Sequence, residues 1–407
     1  MKDNLFNKNV IIAGAGPVGL TAALYLLLKN IPVTIIDSYI SVPIDPRAST
    51  FHPPTLELLE KINVTHEMLN KGKIVNNWQY RDRKKGIIAE FNLEILSDIT
   101  KYPFRLHFEQ HKFAQMLLKK VESFKISTVI KGAQIINSKQ NSNTVNVTYI
   151  KDGKKFELNG KYLIGADGGK SIIRKNLGVK FEGLTFKERF LVLTTTFDFK
   201  PYGFSGSCYV ADPNEWCAIF NVPAEGPPGH WRIVFPDSTQ RTKEELFNDD
   251  LCQKRMQAFL PNPENNDYEI IHKNLYQVHQ RIAQKFRKEN IFLAGDAAHV
   301  NNPLGGMGLN FGIHDALNIG EKISSVLKNE SDESVFDLYD RQRRTVAEEY
   351  LLSQTAQNKR DLEEKESNKR IERQNEWKNI SKDPLKSKQF LMKTAMFEST
   401  KRAMEII

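Results

Sequence analysis

The chain has 407 residues, 40% hydrophobic and 26% charged, ordinary for a globular protein and long enough for two or three interleaved units. It contains no run of about 18 uninterrupted apolar residues, which argues against a membrane span. Its start runs almost directly into an apolar strand, leaving no room for a cleavable leader. The net charge of +9 comes from basic residues interleaved with acidic ones, the pattern of a solvated surface rather than a nucleic-acid groove. The 3 cysteines, Cys208, Cys217 and Cys252, lack metal-ligand spacing, so no metal is expected and a reducing, cytoplasmic setting is.

In chain order, "NVIIAGAGPVGLTAALYLLLKNIPVTIID" predicts a βαβ unit: a short buried strand, a tight turn, an apolar helix and a second strand. Gly14, Gly16 and Gly19 form G-x-G-x-x-G between strand and helix. The first allows the turn, the second lets backbone approach a pyrophosphate, and the third lets helix pack on strand. With them stand Pro17 and Val18, at a helix start whose N–H groups face an anion. Asp37 closes the second strand, where a carboxylate accepts hydrogen bonds from a ribose. This much suits the adenosine half of either NAD or FAD.

Helices are predicted around "PPTLELLEKI" and "QHKFAQMLLKKVESF". Alternating runs such as "TVNVTYI" predict a small sheet leading back to the nucleotide unit, and "LIGADGGKSIIR" a strand with a polar turn. From Phe181 to Tyr276 the texture becomes that of antiparallel strands: "RFLVLTTTFDF", "GSCYVADP", "EWCAIFNVP" and "HWRIVFP". Then "NIFLAGDAAH" predicts a return to the first unit, with a second glycine-rich turn, "GDAAHVNNPLGGMGLN", and another helix. Beyond Ser331 the chain reads as helical. Within it, "NKRDLEEKESNKRIERQNEWKN" has the balanced charges of a solvent-facing helix, and the last segment is amphipathic.

The second turn gives Gly295 and Asp296 after an apolar strand, with Asp296 able to accept from a polyol chain. Pro303, Gly306, Gly308, Leu309 and Asn310 follow, where backbone can pass close to a flat ring and a helix start near Met307 favours negative charge on it. NAD has neither a ribityl chain nor a ring needing such a cradle; FAD has both. Two glycine-rich loops nearly three hundred residues apart are then one large cofactor gripped at both ends.

These three signals in this order resemble the single-component FAD-dependent aromatic hydroxylases, the family that includes 4-hydroxybenzoate hydroxylase and phenol hydroxylase. The resemblance runs from about Asn9 to Leu327. It implies an α/β fold in which a Rossmann-like FAD-binding domain (1–75, 105–180, 276–330) is interleaved with an antiparallel-sheet substrate domain (76–104, 181–275), followed by a helical region (331–407). It also implies that Asp167, in the middle "GADG" motif, serves FAD and NAD(P)H binding, and that Arg47 and Gln110 fall where relatives contact FAD. Arg174 belongs to the same motif. NAD(P)H would be a transient reductant with no second dinucleotide fold of its own. Reduced flavin would react with O2 to a flavin hydroperoxide that attacks a phenolic ring, the cofactor carrying the chemistry. No catalytic side chain follows from the sequence beyond Pro303 as a flavin-adjacent candidate. Substrate contacts are sought among His107, Tyr209, Trp216, Asn221, His230 and Arg232; His299 is assigned a structural role.

A related non-hydroxylating reductase or halogenase is the nearest rival, although "NEWCAIFNVP" is not the tryptophan-rich W-x-W-x-I-P of halogenases. A flavin-bearing scaffold using the charged helix is the other. "GFSGS" does not match the G-x-S-x-G of a serine hydrolase. A homodimer is the expected assembly if there is one, with neither nucleic acid nor membrane as a partner.

Overall fold

The computed structural model describes residues 8–44, 48–141, 143–264 and 266–407. Strand Val10–Ala13, apolar and fully buried, pairs in parallel with Val33–Ile36 on one side and Tyr162–Gly165 on the other. Strands Ser127–Ile130 and Ile291–Leu293 extend this parallel sheet, and Arg287–Lys288 closes one edge antiparallel. Such unbroken apolar runs are what a sheet covered on both faces requires. Helix Pro17–Leu28 begins with proline where the missing N–H costs nothing, and packs against helices Gln110–Glu122 and Gly308–Leu327. A three-stranded meander, 133–140, 145–151 and 154–160, shares the same core through Ala133, Val145 and Val147.

A second, eight-stranded sheet runs in the order 299–300, 270–283, 181–195, 230–237, 217–222, 207–211, 77–82, 86–92. It is antiparallel except where Ser207–Ala211 meets Asn77–Asp82 in parallel. Alternation along its strands makes two buried faces. Cys208, Val210, Ile219, Trp231 and Ile233 face the helix Asp249–Phe259. Tyr209, Ala218, Val192 and Val234 face Leu304 and the distal helices. The division expected between residues 275 and 276 falls inside strand Ile270–Ala283. That strand pairs with Phe181–Thr195 from Phe181 opposite Ala283 to Thr195 opposite Ile270. Its end reaches the second glycine-rich loop, where the Ala283 N–H donates to the Ala298 carbonyl at 2.7 Å.

The charged distal segment departs from the single solvent-facing helix expected of it. The helix Ser353–Glu363 stops, Glu364 and Glu366 turn extended, and a new helix spans Ser367–Lys382. Trp377 is the reason: it is buried and stacks on Tyr80 with ring centroids 5.0 Å apart, beside Trp78, Phe91 and Phe390. Gln374 is buried with it and donates to Asp82 Oδ2 at 2.8 Å. One large aromatic ring outweighs the flanking charges, which stay on the outer face of the same helix.

Candidate active site

Four neighbouring parallel strands deliver the sequence signals to one edge of the first sheet. Ala13 leads into Gly14, Ile36 into Asp37, Gly165 into Asp167 and Leu293 into Gly295. The carboxyl ends of parallel strands are where α/β sheets bind ligands. The Asp37 carboxylate accepts from the Ala15 N–H at 2.5 Å and the Tyr39 N–H at 2.7 Å, bracing the first loop while keeping lone pairs for a ribose. Gly19 is required by space: a Cβ there would lie 2.1 Å from the Gly14 oxygen. At Gly16 a Cβ would meet nothing within 4 Å, so the start of helix 17–28 opens onto empty space at the point where a pyrophosphate would approach. This opening is the observation by which FAD fits the residues present.

The second loop is anchored from below. Asp315, fully buried, accepts the Gly295 N–H at 3.0 Å and lies 2.7 Å from His299 Nε2, while Arg343 Nε donates to its other oxygen at 2.6 Å. Burial alone would raise its pKa, but Arg343 and His299 hold the carboxyl down at about 2. His299 therefore has the structural place expected of it. Val18 joins the two loops: a Cβ on Gly295 or on Gly312 would lie within 2.9 Å or 2.6 Å of its Cγ2. Asp296 is exposed between buried Gly295 and Ala297. The Asn310 side chain accepts from the His52 N–H and donates to the Thr50 and Gly306 carbonyls, so it ties the loop to the turn at 50–52.

The tail of that loop meets the second sheet. Pro303 is exposed, whereas Leu304 is buried against the face carrying Tyr209 and Val234. His52 Nε2 lies 2.9 Å from the Gly305 carbonyl, and Tyr209 is buried beside the Gly305 main chain and Arg105, burial pushing its phenol up to about 12. Gly308 and Leu309 begin the helix behind this tail.

Across the same face runs the segment 105–109. Its alternate side chains reach successive strands of the sheet. Arg105 donates to Ser207 Oγ at 3.4 Å, His107 Nδ1 lies 2.7 Å from the Asn221 carbonyl, and Glu109 pairs with Arg232. Ser207, Phe220, Arg232 and Thr194 lie in register across four strands beneath them. Arg105 is lowered to about 10 by burial. His107 is lowered to about 4 by burial, with Arg105, Lys73 and Arg232 adding to the effect against the Asn221 hydrogen bond. Beside this row a cleft of about 350 Å³ opens between Lys73, Lys200, Asn76 and Asn221.

The structure thus brings Gly14, Gly16, Pro17, Val18, Asp37, Asp167 and Gly295 to one sheet edge, and His107, Tyr209 and Arg232 to one face. Asn221, opposite Trp231 and two residues from Ile219, turns its side chain to the other face and offers this one only its main-chain carbonyl. Asp167 has a structural task as well: its Oδ2 accepts the Ile172 and Ile173 N–H groups, while buried Oδ1 is without a partner. Arg174 is spent on the Ala297 and Gly169 carbonyls, bridging the middle motif to the second loop. Gln110 opens helix 110–122, its N–H on the Ala48 carbonyl. Arg47 lies outside the described residues. Trp216 is buried against Phe190 with its indole N–H on Glu363, and the His230 carbonyl accepts from Asn221, so both serve the walls of the sheet. Sequence reasoning missed Arg105, Glu109, His52, Asp315 and Arg343. The alternation in "RLHFE" was the available signal for the first two.

The model of the "FAD binding domain" family matches residues 7–354. The chain is 28% identical over 384 residues to the para-nitrophenol 4-monooxygenase of Pseudomonas sp. (strain WBC-3), covering 94% of each. It is 28% identical over 383 residues to the 6-hydroxy-3-succinoylpyridine 3-monooxygenase HspB of Pseudomonas putida (strain DSM 28022 / S16), covering 92% of this chain and 94% of that one. The crystal structure of p-nitrophenol 4-monooxygenase PnpA from Pseudomonas putida DLL-E4 superposes with a TM-score of 0.89 at 27% identity, over 96% of this chain and 97% of that one. With the cofactor loops where that family needs them, the chain belongs to the FAD binding domain family and is an FAD-dependent aromatic hydroxylase.

Proposed function

We propose that this chain uses NAD(P)H and O2 to hydroxylate a small phenol, a reading supported by its similarity to a relative named para-nitrophenol 4-monooxygenase. FAD, when bound, would carry two electrons from NAD(P)H to O2, one atom of which enters the ring while the other leaves as water. The chain's own residues do the rest. Gly14, Gly16, Pro17 and Val18 receive the pyrophosphate, Asp37 the ribose, and Asp296 the polyol, with Arg47, Gln110 and Asp167 as further contacts. Gly306, Gly308, Leu309 and Asn310 form the cradle for the ring end, with Pro303 alongside. Tyr209, His107 and Arg232 wall the space where an aromatic substrate is held away from water, with the Asn221 main-chain carbonyl fixing His107. The observation that carries this reading is the contact of Gly305 with His52 and Tyr209, because it turns the tail of the second loop toward the buried polar row on the substrate sheet.

The polar surroundings of His107, with Arg105, Lys73 and Arg232 near it, favour a hydroxylated ring over an arene without a hydroxyl. Cys208, Cys217 and Cys252 are free and buried, which supports a reducing, cytoplasmic setting. No helix of the described residues is long and apolar enough to cross a membrane. The test is reconstitution with FAD and measurement of NADH and NADPH oxidation, O2 uptake and product across a panel of substituted phenols. Stimulated oxidation with a hydroxylated product is the expected result. Oxidation without any hydroxylated product would favour the non-hydroxylating reductase reading.

A further inference from the structure

Two buried polar atoms on strand Arg105–His107 are without a hydrogen-bond partner: Arg105 Nε and His107 Nε2. They belong to side chains on the same side of the strand, since Leu106 between them points into the apolar core. A buried polar atom left without a hydrogen bond is costly, so two on one strand call for an occupant.

The chemistry of the occupant follows from which atom carries a proton. His107 Nδ1 faces the Asn221 carbonyl, which only accepts, so the ring proton sits on Nδ1 and Nε2 is a lone pair. The depressed pKa keeps the ring neutral at physiological pH. Arg105 Nε carries an N–H at any such pH. One lone pair and one N–H on the same side of a strand match a group that donates and accepts through a single atom, which is a hydroxyl. A carboxylate would leave the lone pair unanswered, and an ammonium would meet the guanidinium.

We infer that His107 Nε2 and Arg105 Nε together hold the ring hydroxyl of the substrate, His107 accepting its O–H and Arg105 donating to its oxygen. This rests on the hydroxylase reading and names the residues that enforce it. Trp78, 5.8 Å from Arg105, and Phe220, 6.2 Å from His107, provide apolar walls for the ring bearing that hydroxyl. The charged and titratable groups around His107 are Arg105 on its own strand, Lys73 on the neighbouring strand, Arg232 on the sheet, and His52 from the turn before helix 53–59.

The test uses the full chain loaded with FAD and no NAD(P)H, so that binding is read without turnover. Affinities for 4-nitrophenol, nitrobenzene and 4-nitroanisole are measured from the perturbation of the flavin spectrum. Wild type is expected to prefer 4-nitrophenol over both analogues by about tenfold or more, the worth of the two hydrogen bonds. His107→Leu should remove most of that preference while leaving FAD retention and nitrobenzene affinity as in wild type. His107→Gln, whose amide oxygen restores an acceptor, should recover part of it. The pKa of bound 4-nitrophenol, read from its phenolate absorption, should fall in His107→Leu, because the acceptor that favoured the O–H form is gone and Arg105 remains. An unchanged preference or an unchanged or higher pKa in that variant overturns the inference, as does equal wild-type affinity for 4-nitroanisole should the variant not fold. Failure to bind any of these rings would instead overturn the hydroxylase reading with it.

Discussion

The Asp315 carboxylate joins the Gly295 N–H, at 3.0 Å, to the Arg343 guanidinium, at 2.6 Å, so a helix 20 residues downstream sets the height of the second cofactor loop. Asp315→Asn leaves Arg343 buried without its counter-ion and should cost about 3–5 kcal/mol of stability, with weakened FAD retention. Because the folded pKa of about 2 lies below the ordinary 3.8, the carboxylate's contribution is full above that value and fades as pH falls toward the lower one. Denaturant midpoints of wild type and variant should therefore converge on acidification through that window. A gap that stays constant would count against the ion-pair account.

The two neighbouring glycines of the first loop should fail differently. Gly16→Asp puts its side chain into open space at a helix N-cap, where aspartate is favoured, so the cofactor-free protein should fold with stability within about 0.5 kcal/mol of wild type. Its charge repels a pyrophosphate, and FAD should be lost. Gly19→Ala collides with the Gly14 carbonyl and should lower the melting temperature even without FAD. Full flavin occupancy in Gly16→Asp would show that the cofactor is not seated there.

Trp377→Ala should destabilise the chain by about 3–5 kcal/mol, the usual cost of truncating a buried tryptophan. It should also expose the distal helices to limited proteolysis, since the ring holds them against Tyr80, Trp78 and Phe91. A cleavage pattern identical to wild type would show that the distal helices dock without it.

Three buried histidines make stability sensitive to mild acid. Burial lowers His52, His107 and His314 to about 3, 4 and 3 from 6.5. As pH falls below 6.5 the unfolded chain takes up protons that the folded one refuses, so the stabilisation present above that pH is progressively lost as the folded values are approached. Unfolding at a pH of about 5 should be accompanied by uptake of close to three protons from these groups, measured as the slope of stability against pH. Substituting His314 by Gln should reduce the slope by about one proton.

The cofactor framework was legible because it is local. Gly14, Gly16, Gly19 and Asp37 lie within one βαβ unit, where turn geometry and spacing tie residue type to position. The middle and last motifs each follow an apolar strand for the same reason. Asp315 and Arg343 were not legible: a buried aspartate and arginine on helices are indistinguishable from surface residues until the helices cross. Trp377 was hidden by composition, one aromatic among many charges. His107 and Arg232 were found as isolated candidates, but Arg105, Glu109 and the order in which the segment crosses three strands depend on the pairing of distant residues, which periodicity does not encode.

The long ladder formed by Phe181–Thr195 and Ile270–Ala283 reaches from the second loop to the far end of the substrate sheet. It works as a strut. Its pairing runs from Phe181 to Thr185 and again from Arg189 to Thr194, with a register shift between, so the strut is two rigid runs joined by a bulge. Bending between the two halves would concentrate at residues 186–188, where three residues face one on the partner strand, and leave the rails on either side intact.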